Sequence, residues 1–206
     1  MEMHYEILDE RRKSVCNGLS SFKDRFYLAG GTGLALMIGH RESIDFDFFS
    51  QNSFDPEAIF GELAEIFPQY PITKIQEGRD TLTVMVNNVK VSFLVYNYAL
   101  MKPLNDETNF RIAAIEDIGC MKLSAILSRS LLKDYVDLYF ILKKISLTEL
   151  LFLAEQKYPH TDKNLYLKSL TYFEEIEDEP LIYKEGFEVS FDEVKRFLVR
   201  LVKGVF

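Results

Sequence analysis

The sequence predicts an α+β protein in which a mixed sheet with flanking helices occupies the first half and a helical bundle the second. Three observations carry that expectation. Short apolar runs with period-two alternation, punctuated by glycine or asparagine, are confined to residues up to about 110. Beyond that point the chain is mainly helical in character. The change of period falls in a polar loop at residues 103–109, which divides the chain into a first domain, 1–108, and a helical domain, 109–206.

Taken in order, residues 2–19 place Ile7, Leu8, Val15 and Leu19 on one helical face with charges between them, giving a first helix. An apolar run at 26–29 stops at Gly30 and Gly31, and TGLALMIGH follows with Gly39 as its stop: strand, glycine turn, helix. Residues 43–50 alternate, with Ile44, Phe46 and Phe48 on one side and Ser43, Asp45 and Asp47 on the other, which predicts a strand with a polar working face. Asp55 as N-cap and Pro56 at the first helical position open a helix over 55–67 that ends near Pro68. Runs at 72–76, 81–86 and 89–96 predict three strands forming an antiparallel edge, the last two joined by a tight turn at Asn87 and Asn88. Helices are then expected near 116–128, 131–144, 147–156, 163–174 and 191–202. The acidic stretch 173–186, with Pro180 and Gly186, reads as an exposed connection.

With 206 residues, 48% of them hydrophobic and 14% aromatic, the chain can bury a substantial core. Its 32 acidic against 24 basic side chains give a net charge of −8, which argues against the general basic coat of a non-specific nucleic-acid binder; any nucleic-acid partner must meet a local basic patch. Cys16 and Cys120 lack the spacing of a zinc site or disulfide framework and read as buried small hydrophobes in a reducing cytosol. The start, MEMHYEILDERRKSV, has no apolar stretch after a basic region, and no apolar run approaches the roughly 20 residues of a membrane span. The expectation is a cytoplasmic protein with no membrane partner.

The chemistry concentrates in residues 27–50, YLAGGTGLALMIGHRESIDFDFFS. Asp45 and Asp47, two apart on a strand, emerge on one face and can share a divalent ion or a pair of ions. Hard oxygen donors suit Mg²⁺, with Mn²⁺ as a substitute, and such an ion bridges triphosphate oxygens and stabilises a pyrophosphate leaving group. Gly30 and Gly31 let backbone amides approach phosphates, and the helix after them points its N-terminus at the same place. Thr32 adds a hydroxyl donor, and Arg41 offers a planar fork to a phosphate. Each piece has an ordinary alternative: a plain turn, a solvated Asp-x-Asp face, an Arg41 that pairs with Asp45 or Glu42. Their order and spacing favour the functional reading.

A glycine turn, a short helix, then Arg41-x-Ser43-x-Asp45-x-Asp47 resembles the nucleotide-binding signature of the DNA polymerase β nucleotidyltransferase superfamily. GGT followed by GHRESIDFDFF is similar, more narrowly, to the AbiEii/AbiGii toxin nucleotidyltransferases, in which the second glycine is often followed by Ser or Thr. IEDIGCMKLSAILSR at 115–129 and KDYVDLYFIL at 133–142 resemble that family's later motifs. The matching blocks span 27–142. The resemblance implies a polymerase β-like palm followed by a helical domain, with the substrate cleft between them. It implies NTP as substrate, Lys122 at the nucleotide phosphates, and Asp134 or Asp137 completing the active site. It also implies the toxin of a toxin–antitoxin pair, with a cognate antitoxin and with RNA, tRNA in particular, as acceptor.

From spacing alone, Lys122 and Arg129 share one helix face and Asp134 and Asp137 another, an arrangement that could bracket a metal-bound triphosphate. The alternative is a Lys133–Asp137 pair on a helix whose Leu132, Val136, Tyr139 and Phe140 simply pack. One departure bears on catalysis. Many polymerase β-type enzymes supply a third carboxylate from a later strand, and VKVSFLVY carries Ser92 there. Two other functions therefore stay open: a degenerate module that binds a nucleotide or protein without turnover, and a nucleotidyltransferase acting on a cationic small molecule such as an aminoglycoside. His4, His40 and His160 are scattered; His40 either touches phosphate or base beside Arg41 or ends a surface helix. The phenylalanines and tyrosines read as packing.

Overall fold

The computed structural model describes residues 3–176 and 180–205; Glu2 of the expected first helix and residues 177–179 of the acidic connection lie outside the described residues. The chain divides into two compact units, one made of Met1–Ala99 with Pro103–Ala114, the other of Leu100–Lys102 with Ile115–Phe206.

The first unit is built on a seven-stranded mixed sheet. Its strands are β1 (Tyr27–Ala29), β2 (Phe46–Ser50), β3 (Ile72–Gly78), β4 (Thr81–Val86), β5 (Val89–Val95), β6 (Asn105–Asp106) and β7 (Arg111–Ile112), in the order β3-β4-β5-β2-β1-β7-β6. β3, β4 and β5 form the expected antiparallel group, but β5 also runs parallel beside β2, so it is interior rather than an edge. Asn87 and Asn88 both take positive φ, 50° and 60°, the conformation a two-residue hairpin turn needs and asparagine tolerates. β6 lies within the polar loop expected at 103–109 and β7 just beyond it, where no strand was expected; two residues are too few to show a period.

Three helices accompany the sheet: α1 (Glu10–Gly18), α2 (Gly30–Ile38) and α3 (Pro56–Ile66). The expected helix over 2–19 is interrupted because the Asp9 carboxylate accepts from Arg12 N and starts a new helix, leaving only a 3-10 turn at Tyr5–Ile7 before it. α3 opens as its sequence implies, with the Asp55 side chain accepting from Glu57 N and Pro56 in the first turn.

The expectation that the strand begins at residue 43 is corrected. Ile44 is 57% exposed and β2 starts only at Phe46. The Ile44 carbonyl accepts from Arg12 Nε at 3.2 Å and the Asp45 carbonyl from the Thr32 hydroxyl, so side chains engage the acceptors that would otherwise extend the strand. From Phe46 onward the alternation holds: Phe46, Phe48 and Ser50 are buried, Asp47 and Phe49 partly exposed. Phe93 of β5 is fully buried, with ring centroids 5.0 Å from Phe22, 5.0 Å from Phe26 and 5.6 Å from Phe48. This aromatic core supports the strands that carry the polar groups.

The second unit contains α4 (Ile115–Ser128), α5 (Leu132–Ile141), α6 (Leu147–Lys157), α7 (Lys163–Ser169) and α8 (Phe191–Lys203). α4 packs against α5, α6 and α7, and α8 against α5. Ser146, Asp162 and Ser190 cap α6, α7 and α8 through their side chains, each cap contributing about 1 kcal/mol. α7 ends at Ser169 rather than near 174. There the Thr171 hydroxyl reaches the carbonyls of Leu167 and Lys168, and the Tyr135 hydroxyl donates to those of Ser169 and Tyr172, diverting acceptors from the helix. No helix among the described residues is long and apolar enough to cross a membrane.

Replacing Phe93 with Ala should remove about 3–5 kcal/mol of stability, read from urea denaturation, because three aromatic neighbours lose their common partner. Both cysteines are free and buried, and burial pushes the Cys16 thiol up to about 11 and the Cys120 thiol up to about 12. A raised thiol pKa leaves about one molecule in a thousand or fewer as thiolate at pH 8. An aromatic disulfide reagent should accordingly label neither cysteine in the native protein and both after denaturation.

Candidate active site

The local order of β1, α2 and β2 follows from a single turn. Gly30 has φ +65°, a conformation costly for residues with a Cβ, and a Cβ built there would stand 3.1 Å from Asp47 Oδ2. The chain thus turns from β1 into α2 right against the Asp47 carboxylate. Gly31 is constrained from another side: a Cβ there would lie 2.7 Å from Arg41 Nη2 and 3.2 Å from Ser43 Oγ. The Arg41 guanidinium, buried and bonded to the Glu42 carbonyl at 2.9 Å, packs over the start of α2. No side chain caps this helix N-terminus, so its first-turn amides and dipole favour an anion placed there.

Cross-strand register arranges the rest. Ala29 is paired with Asp47, Asp47 with Ser92, and Ser92 with Thr83, giving one row across four strands. Asp45 and Asp47 are both partly exposed, while Ser92 and Thr83 are buried. The Lys90 ammonium lies 2.9 Å from Asp45 Oδ2, with both side chains partly exposed, so the pair contributes only about 0–1 kcal/mol to stability. Thr32 is buried, and its hydroxyl lies 2.8 Å from Ser43 Oγ in addition to reaching the Asp45 carbonyl. It ties the first turn of α2 to the segment carrying Asp45.

The structure therefore brings Gly30, Gly31, Thr32, Arg41, Ser43, Asp45 and Asp47 together in one corner of the first unit. Lys90 was missed by the sequence reading. Its signal lies in VKVSFLVY, where it alternates with Ser92 on the strand in which many polymerase β-type enzymes carry their third acid. His40 is fully buried, which corrects the expectation of a surface helix terminus. Two carboxylates beside a serine hydroxyl suit a divalent cation that keeps several waters and takes further ligands from substrate phosphates, rather than one held in an all-protein cage.

Lys122, Asp134 and Asp137 form a cluster inside the second unit. Lys122 Nζ lies 2.6 Å from Asp134 Oδ1 and 2.6 Å from Asp137 Oδ2, and Arg129 Nε lies 2.9 Å from Asp134 Oδ2. Asp134 and Asp137 are fully buried and Lys122 is 5% exposed. The basic face of α4 meets the acidic face of α5 directly, each charge compensating the other in a low-dielectric setting. A second buried pair, Lys157 with Asp117 at 2.7 Å, also went unread in the sequence. Asp117 further accepts from the amides of Met101 and Lys102, anchoring the 100–102 segment to the start of α4.

Comparison with known proteins bears on this arrangement. Residues 15–200 match the family described as nucleotidyl transferase AbiEii toxin, type IV TA system. An uncharacterised protein of Aquifex aeolicus (strain VF5) is 38% identical over 184 residues, covering 86% of each chain. Among solved structures, JHP933 from Helicobacter pylori superposes with a TM-score of 0.61 at 19% identity, covering 96% of this chain and 93% of its own. The nucleotidyltransferase toxin MenT4 from Mycobacterium tuberculosis H37Rv gives a TM-score of 0.61 at 14% identity, covering 92% of this chain and 81% of its own. These structural likenesses show a shared α+β fold, one that the nucleotidyltransferase toxin MenT4 also has. Because the family match runs from before the glycine turn to the last helix, the chain belongs to the AbiEii nucleotidyltransferase toxin family and is a nucleotidyltransferase.

Proposed function

We propose that this protein transfers a nucleoside monophosphate from an NTP to an acceptor hydroxyl on RNA, with tRNA as the acceptor the family resemblance favours, and that it acts as the toxin of a pair with a cognate antitoxin. The observation that carries the reading is the contact between the Gly30 turn and Asp47, which sets an uncapped helix N-terminus against a carboxylate pair. A triphosphate needs both: amides for its oxygens, and acids that recruit its counterion.

In this reading Asp45 and Asp47 hold Mg²⁺, or Mn²⁺ in its place. The ion, when bound, neutralises triphosphate charge and favours departure of pyrophosphate. Gly30 and Gly31 present amides to the phosphates. Arg41 adds a fixed cation over the same turn, and Thr32 and Ser43 hold the segment that aims Asp45. Lys122, as a phosphate contact, and Asp134 or Asp137, as the third acidic group, enter through the resemblance. Ser92 is the one observation favouring a module that binds nucleotide without turnover, since it stands beside Asp47 in place of an acid.

Incubating the protein with Mg²⁺ and each labelled NTP in turn, with total tRNA or a panel of small-molecule hydroxyl compounds, tests the reading. Label on RNA is the expected outcome; label only on a small molecule, or nucleotide binding without transfer, contradicts it. D45N/D47N should lower transfer by about 1,000-fold or more while leaving the melting temperature close to wild type, because both acids are partly exposed. Persistent activity in that variant would refute the site. Lys90→Met should strengthen Mn²⁺ binding about three- to tenfold, measured by titration calorimetry, because it removes a competing positive charge from Asp45. For Asp134 and Asp137, single Asn variants should be compared in transfer rate and in urea stability. The third acidic group is the one whose variant loses about 100-fold or more in transfer beyond what its stability accounts for.

A further inference from the structure

The chain carries a net charge of −8, yet one surface of the second unit is strongly basic. α8 holds four cations, Lys195, Arg196, Arg200 and Lys203, and no acidic residue follows Glu193 in the sequence. Its buried stripe is Val194, Leu198 and Val202, at spacings of four, which commits the opposite face to solvent. Arg196, Arg200 and Lys203 are exposed and pair with no carboxylate among the described residues. Lys143 and Lys144, just beyond α5, are exposed as well.

Between α5 and α8 runs a shallow groove lined by Tyr139, Lys143, Glu193, Arg196, Phe197 and Arg200. Its floor is aromatic: the Tyr139 and Phe197 rings meet edge to face at 4.8 Å. Cations lie over that floor, Lys143 Nζ at 4.1 Å from the Tyr139 ring and Arg200 Cζ at 5.6 Å from the Phe197 ring. Glu193, the one acid in the groove, accepts from the Tyr139 hydroxyl. The aromatic rings thus orient the long basic side chains, and the two acids of α8, Asp192 and Glu193, lie in its first turn, away from Arg200 and Lys203.

We propose that this α5–α8 face is the surface on which the RNA acceptor docks, through its phosphate backbone. Isolated surface cations scattered among acids would bind a polyanion poorly, whereas uncompensated cations one helical turn apart can meet successive phosphates. The face requires no sequence-specific contact: a rigid basic stripe recognises backbone geometry. The inference rests on the RNA-acceptor reading above and adds the site of docking to it.

The test uses the full chain, a fluorescein-labelled tRNA transcript, and the variant R196A/R200A/K203A, whose changes are confined to exposed side chains. Wild-type anisotropy titrations between about 50 and about 200 mM KCl should show affinity falling steeply with salt, as phosphate contacts demand. The variant should bind about 30-fold more weakly at the midpoint of that range, with a log–log salt slope shallower by about two. Circular dichroism melts matching wild type would show that the fold is intact; should they differ, R200A alone is expected to lower affinity about threefold and reduce the slope by about one. Unchanged affinity and slope would overturn the inference. So would tight wild-type binding to phosphatidylglycerol vesicles, abolished by the variant, together with unaffected RNA binding. RNA bound through this face without any nucleotide transfer to it would support the docking surface and refute RNA as acceptor. Transfer to RNA with an unchanged KM in the variant would do the reverse.

Discussion

The structure turns on the register of β1, β2 and β5. Ala29 stands opposite Asp47 and Asp47 opposite Ser92, so the last residue before the glycine turn, the second carboxylate and a buried serine share one row. A slip of one residue in β2 would send Asp47 toward the aromatic side and Phe46 or Phe48 toward the helix N-terminus. Phe93, packed on Phe48, Phe22 and Phe26, penalises that slip and so fixes the polar row indirectly.

Charge is handled in three physically distinct ways along the chain. Near the glycine turn, Asp45 and Asp47 remain partly exposed, and the Lys90 ammonium beside Asp45 is partly exposed as well, so that pair is weak and well solvated. Inside the second unit, Lys122, Asp134, Asp137, Asp117 and Lys157 are almost wholly desolvated, and each is bearable only because it is paired. On α8, Arg196, Arg200 and Lys203 are solvated and pair with no carboxylate among the described residues, which costs little in stability and gives long-range attraction for polyanions. The three environments suit three tasks: holding a counterion, fixing helices, and meeting a charged macromolecule.

Much of this was legible in the sequence, where local chemistry speaks for itself. Gly30, Gly31, Asp45 and Asp47 announce themselves because φ freedom and paired carboxylates are properties of single residues at fixed spacing. Asp55-Pro56 and Asn87-Asn88 fixed a helix start and a hairpin for the same reason. What could not be read depends on distant partners. Ile44 alternates with Phe46 yet lies outside the strand, because Arg12 and Thr32, far away in sequence, engage its neighbourhood. Lys90 acquires meaning only once β5 is known to run parallel beside β2. Lys157 and Asp117 are forty residues apart, and no helical period links them. The α8 cations were visible as residues, but their common exposed face became plain only when Val194, Leu198 and Val202 proved to be the buried stripe.

In the proposed function, Asp45 and Asp47, with the Gly30 turn, form the site for a metal-bound triphosphate. The decisive measurement is anomalous diffraction at the manganese edge from crystals grown with Mn²⁺ and an NTP analogue that resists cleavage between its α- and β-phosphates. An anomalous peak in direct coordination with both carboxylates is expected, with phosphate density against the Gly30 and Gly31 amides. A peak elsewhere, or a triphosphate bound away from the start of α2, would contradict it.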